Sequence, residues 1–176
     1  MLPATTWIVL QLLVLTFAWF GTAVEQRSEP NKSADRKPGE MPFKDNGDGT
    51  VTQKTTNLNW QKDDDGKQRS WNAAVGYCQA LSLEGNSGWR LPSLTELLSL
   101  WKGVGTKSDI RKTYFPSMKS SGELYPGIIA PYWSATPVSI QGADGAAFVT
   151  FNDGSSHVGT KDFFSFYSRC VRTGKN

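Results

Sequence analysis

The stretch Gly88-Trp89-Arg90-Leu91-Pro92-Ser93-Leu94-Thr95-Glu96-Leu97 marks a helix start almost to the residue. Ser93 and Glu96 stand at the spacing of a capping box, in which the hydroxyl satisfies the Glu96 amide and the carboxylate returns to the Ser93 amide. Pro92 ahead of the cap keeps Leu91 extended. Leu94, Leu97, Leu98 and Trp101 then recur at helical spacing, which predicts a helix to about Trp101 with these four side chains inward. Upstream, Ser70 stands where it would cap another helix, from Trp71 to about Leu81. Its inner face takes Trp71, Ala74, Val75, Cys78 and Leu81.

Strand signals flank the two helices. The turn cluster Asp45-Asn46-Gly47-Asp48-Gly49 leads into Thr50-Val51-Thr52, and Leu58 to Gln61 returns after Thr55-Thr56-Asn57. Asp63-Asp64-Asp65-Gly66 ends this hairpin. Farther on, Tyr132 to Ala135 and Ala146 to Asn152 read as strands, with Asp153-Gly154 turning into Ser155 to Val158. Phe166 to Arg172 reads as the closing strand. Its alternation turns Ser168 and Arg172 toward the face of Cys170, and Arg169 and Val171 away. Between Lys102 and Pro131, seven Gly and Pro residues break every period, so this segment reads as a long irregular excursion.

The front of the chain differs in kind. Residues 1–24 carry no charged side chain and serve either as a signal peptide, with Gly21-Thr22-Ala23 near the cleavage point, or as a membrane anchor. Residues 25–42 are polar and cannot bury enough surface to offset their ordering entropy, so they read as a disordered linker. Residues 43–174 are long enough for one domain with its own core. The two cysteines, Cys78 and Cys170, form no C-x-x-C pair, and in an oxidising compartment their default reading is one disulfide. The expected localisation is extracytoplasmic (periplasm, cell surface or secreted), although Arg27, Lys32, Arg36 and Lys37 follow the apolar run and give a retained anchor no clear orientation.

From Phe43 to Gly174 the chain resembles the Lcl C-terminal domain family. The resemblance rests on the Asn-Gly-Asp-Gly-Thr-Val-Thr start at Asn46, Trp-Gln-Lys at Trp60, and Trp-x-x-Ala-x-x-Tyr-Cys at Trp71. It continues with Trp-Arg-Leu-Pro-Ser-x-x-Glu-Leu at Trp89, Tyr-Trp-Ser at Tyr132 and Arg-Cys-Val-Arg at Arg169. It implies an α+β, C-type-lectin-like fold of two helices and small antiparallel sheets, with a first-helix cysteine joined to one on the last strand. The family's name protein is a bacterial surface adhesin that binds sulfated polysaccharides. That implies a carbohydrate-binding role in the bacterial envelope, although this chain has no collagen-like Gly-x-y stalk.

Polyanion binding needs clustered cations. Lys102, Lys107, Arg111, Lys112 and Lys119 supply five within the excursion, with Asp109 the one acid among them, and Tyr114, Phe115 and Tyr125 stand nearby as possible ligand contacts. The partner expected is a sulfated or acidic polysaccharide or an envelope protein, and the membrane itself if residues 1–24 are retained. The alternative is a membrane-anchored accessory subunit docking on a larger envelope complex. The domain's fourteen basic and twelve acidic side chains argue against nucleic acid, which demands many phosphate contacts. No cofactor or metal is expected: the Asp45 to Gly49 run lacks the ligand spacing of an EF-hand, and Asp63-Asp64-Asp65 reads as a turn. Trp60, Trp71, Trp89 and Trp133 sit in the framework motifs and read as core. His157 has no catalytic partner at a recognisable spacing, so no enzyme is expected.

Overall fold

The computed structural model describes residues 41–104, 108–119, 123–125 and 128–174. The apolar front, almost all of the linker and Lys107 lie outside these residues. Among the described residues no helix is long and apolar enough to cross a membrane.

The domain is α+β. Strands β1 (Phe43–Asp45), β2 (Thr50–Gln53) and β3 (Leu58–Gln61) precede helices α1 (Trp71–Ala80), α2 (Leu94–Val104) and α3 (Ser108–Tyr114). Then follow β4 (Glu123–Tyr125), β5 (Ile128–Ile129), β6 (Pro131–Ile140), β7 (Ala143–Thr150), β8 (Ser156–Thr160) and β9 (Val171–Thr173). All paired strands run antiparallel, in sheets of order β1-β2-β3-β9, β4-β5 and β6-β7-β8. The first sheet joins both ends of the domain, because β9 lies beside β3 with Trp60 opposite Val171.

Two apolar clusters form the core. One gathers Phe43, Val51, Trp60, Leu97, Leu100, Phe115, Tyr132 and Phe151 between the four-stranded sheet and α2. The other gathers Ala74, Cys78, Trp89, Trp133, Phe148 and Phe166 against α1. Burying an indole N–H without a partner is costly, and the four framework tryptophans each find an oxygen. Trp60 donates to the Gln53 side chain at 2.9 Å, Trp71 to the Ser134 carbonyl at 2.8 Å, Trp89 to that of Asn86 at 2.9 Å and Trp133 to that of Arg69 at 2.9 Å. The disulfide Cys78–Cys170 is present with its Cα atoms 5.4 Å apart, and both residues are fully buried.

The capping box forms as expected. The Ser93 amide donates to Glu96 at 2.7 Å and the Glu96 amide to Ser93 Oγ at 3.2 Å, while Thr136 Oγ1 accepts the Leu94 amide at 2.9 Å. Burial pushes the Glu96 carboxyl up, but Arg90 and the Ser93 amide outweigh it and hold it below the ordinary glutamate range.

Other expectations need correction. Ser70 occupies the N-cap of α1, yet its side chain caps nothing, and the start is held instead by the Trp71 amide on the Lys161 carbonyl at 3.2 Å. The segment from Lys102 is less irregular than its Gly and Pro content suggests. Helix α2 continues through Gly103 because a Cβ there would come within 2.7 Å of the Phe43 ring, so this glycine admits a close packing partner rather than ending the helix. A third helix, α3, then packs on β1 and α2. Strand β6 runs past Ala135 to Ile140 despite Pro137, because it is an edge strand and a missing N–H costs little there. The closing strand is shorter than expected. Phe166 bridges Arg69 and Tyr167 bridges Tyr132 before β9 begins, so simple alternation fails and Ser168 to Arg172 are all buried.

Gly154 is constrained twice. Its φ of 76° is left-handed, and a Cβ would sit 2.3 Å from the Trp101 ring. Gly154→Ala is expected to cost about 2–3 kcal/mol by combining backbone strain with overpacking. A urea midpoint equal to wild type would mean that Trp101 turns aside freely.

Candidate functional site

Four cations of the expected basic segment fall within the described residues. Lys102 is exposed in the last turn of α2, Lys112 is exposed and Arg111 half-buried in the last turn of α3, and Lys119 is exposed beyond it. Because α2 and α3 pack together, the first three share one helical region. Lys119 departs from them, since its side chain lies over Gly66 in the β3–α1 connection. Lys107 lies outside the described residues.

The aromatic expectations fare differently. Phe115 is fully buried, with its ring 5.2 Å from Phe43. Tyr114 packs on the same Phe43 ring at 5.7 Å and stands half-buried at the core edge. The burial of Phe115 corrects the expectation of a free aromatic there, and the cause is α3: Ile110 and Tyr114, four apart, form the inner face of a short helix. Tyr125 stands in β4.

Most basic residues of the framework are spent on acids. Lys62 pairs with Asp45 at 2.6 Å, Arg90 with Glu96 at 2.6 Å, Lys161 with Asp144 at 2.8 Å, and Arg69 with Asp65. By contrast, Lys102, Arg111, Lys112 and Lys119 form no ion pair among the described residues.

The segment is anchored from below by a residue that alternation had turned away from the cysteine face. Arg169 has no solvent exposure. It donates to the carbonyls of Gln61 at 2.7 Å and Lys62 at 2.6 Å, and to Asp64 at 2.5 Å. Ser117 Oγ accepts from Arg169 at 3.1 Å and from the Asp64 amide at 2.8 Å. Tyr132 donates to Asp64 at 3.1 Å and accepts the Lys119 amide at 2.8 Å. Burial pushes the Tyr132 phenol well above its ordinary range, so it stays a neutral donor. Ser117 and Lys119 are thereby fixed to the core, although their segment is poor in regular structure.

The carboxylates weighed as metal ligands are engaged in turns. Asp45 accepts the Gly47 amide and Lys62, and Asp48 accepts the amide and hydroxyl of Thr50. Asp64 and Asp65 diverge to Arg169 and Arg69. Among the described residues no three His, Cys, Asp or Glu side chains converge on a metal position. His157 is exposed, 2.9 Å from Ser155 Oγ. Asp153 binds that same hydroxyl at 2.8 Å instead of orienting the imidazole, so the group braces a hairpin turn. A depression of about 420 Å³ lined by Leu94, Thr136, Val138, Ala147 and Val158 has no Lys or Arg in its wall. A second, of about 490 Å³ at the β6–β7 turn, carries Asp144, the wrong sign for an anion.

The family model of the Lcl C-terminal domain matches residues 49–172, from the turn before β2 into β9. The chain belongs to this family. No curated protein matches it. In this Lcl C-terminal domain the framework motifs supply core, caps and disulfide. The unpaired cations lie chiefly between those motifs.

Proposed function

We propose that this Lcl C-terminal domain is an extracytoplasmic, non-enzymatic binding module that engages a polyanionic glycan through the cations of α2 and α3. The observation that carries the reading is the division of charge. The framework's Lys62, Arg69, Arg90, Lys161 and Arg169 are neutralised by acids, whereas Lys102, Arg111, Lys112 and Lys119 are left available. A disulfide persists best in an oxidising compartment, which supports export through residues 1–24 as signal or anchor. A C-type-lectin-like build is supported by antiparallel sheets beside helices, by first and last strands in one sheet, and by a first-helix cysteine joined to the C-terminal segment.

A second reading, docking on an envelope protein, is favoured by Phe163, which is 76% exposed on the turn after β8. Retention on a heparin column separates the two. Arg111→Ala with Lys112→Ala is expected to weaken retention about tenfold, at roughly 0.5–1 kcal/mol per exposed charge. Unchanged salt elution would remove the helical cations from the site.

A further inference from the structure

Arg172 is the one mostly buried basic residue among those described that lacks an acid. Arg169 and Lys161, buried to a similar degree, pair with Asp64 and Asp144. Arg172 is 8% exposed, and no described carboxylate lies within ion-pair distance of it. Its guanidinium stands over the buried Trp89 ring, 5.4 Å from the centroid. The Nε is buried without a hydrogen-bond partner, and the two terminal nitrogens make no hydrogen bond among the described residues. A ring face offsets part of the cost of burying a cation, but supplies none of the acceptors that a guanidinium fork requires.

The neighbouring strand adds a donor. Asn59 sits directly opposite Arg172 in the β3–β9 register and is 7% exposed. Thr52 Oγ1 donates to Asn59 Oδ1 at 2.7 Å, and the Asn59 NH2 makes no hydrogen bond among the described residues. Lys44 continues the same row, opposite Thr52, and is exposed. Three adjacent strands thus present the row Arg172, Asn59 and Thr52 on the sheet's polar face, with Lys44 at its far end on the fourth. The opposite face holds Phe43, Val51 and Trp60, and there α3 packs through Phe43. The row is therefore separated by the sheet from the cations of α3.

We propose that Arg172 and Asn59 form a subsite for one oxyanion group of an acidic sugar, a uronate carboxylate or a sulfate. The terminal nitrogens of Arg172 take two oxygens in the paired geometry that guanidinium groups make with oxyanions, and the Asn59 amide adds a third donor. Trp89, 2% exposed, acts as the floor that holds the guanidinium, not as a stacking surface for the sugar ring. The choice of an acidic sugar rests on the glycan reading above; the anion site itself does not depend on the helical cations.

The test is NMR titration of the full chain with sodium glucuronate and with glucose 6-sulfate, against sodium chloride at equal ionic strength and against glucose. The Arg172 Nε–H and the Asn59 side-chain amide are expected to shift saturably with one or both anions, and the stronger of the two identifies the group. Neither is expected to saturate with chloride or glucose. Asn59→Asp places a carboxylate beside Arg172 and is expected to abolish the shift while raising Tm. Arg172→Lys keeps the charge, loses the fork and is expected to bind about tenfold more weakly. A shift that matches chloride's, full affinity in Arg172→Lys, or undiminished binding in Asn59→Asp overturns the subsite. Heparin retention lost in the Arg111 and Lys112 variant with the Arg172 shift intact would mean two independent sites. No saturable shift at Arg172 with that retention effect preserved would remove this subsite alone.

Discussion

Asp64→Ala is expected to destabilise the domain by about 3–5 kcal/mol, the usual cost of stranding one partner of a buried ion pair. The Arg169 guanidinium would keep its bonds to the Gln61 and Lys62 carbonyls and Ser117, yet its charge would face no anion in a site without solvent exposure. Tyr132 would lose its acceptor as well. For a domain of this size the loss corresponds to a fall in Tm of roughly 10–20 °C. Thermal unfolding followed by circular dichroism reads it directly, and a fall of only a degree or two would mean that water reaches the pair. The cost arises from an uncompensated charge more than from the pair's own strength. Asp64→Leu combined with Arg169→Met is therefore expected to recover much of it.

Loss of the disulfide has a comparable expected effect through the other side of the folding equilibrium. Cys78 and Cys170 are separated by 92 residues. Closing a loop of that length in the unfolded chain corresponds to about 4–5 kcal/mol in the chain-entropy model. Cys78→Ala with Cys170→Ala is expected to lower the urea midpoint accordingly, with a steeper dependence on urea because the unlinked chain exposes more surface. An unchanged midpoint would show that the link contributes little. Both cysteines lack solvent exposure, so in the native protein reduction should follow the rate of opening and not the concentration of reductant.

These two features differ in how far they could be read from the chain. The pairing of Cys78 with Cys170 follows from simple counting, and α1, the capping box and the β2–β3 hairpin follow from local periodicity and turn chemistry. Asp64 and Arg169 stand 105 residues apart, and nothing local marks either as buried. Helix α3 escaped for another reason. Its inner face amounts to Ile110 and Tyr114, too short for a period to emerge beside so many Gly and Pro residues. The basic segment was visible as composition, but only the folded chain distinguishes Lys119, drawn over Gly66, from the cations of α2 and α3. Arg172 appeared as a motif residue facing the cysteine side, and its missing counter-charge could be recognised only once every other buried cation had found an acid.

The position of the Cys78–Cys170 link also sets how the domain responds to tension. Its first and last strands are the two edges of one sheet, so force applied at the two ends would load the β1–β2 and β3–β9 pairs. Extension would then stop at the covalent link, because the chain between the cysteines cannot lengthen. At about 3.5 Å per residue, only about 140 Å of chain could be drawn out of roughly 460 Å available without the link. Helices α2 and α3 and the β6-β7-β8 sheet lie within the closed loop, which begins near the end of α1. A module anchored to a surface and pulled at both ends would therefore yield a short length of chain while keeping its cation-bearing helices shielded from the strain.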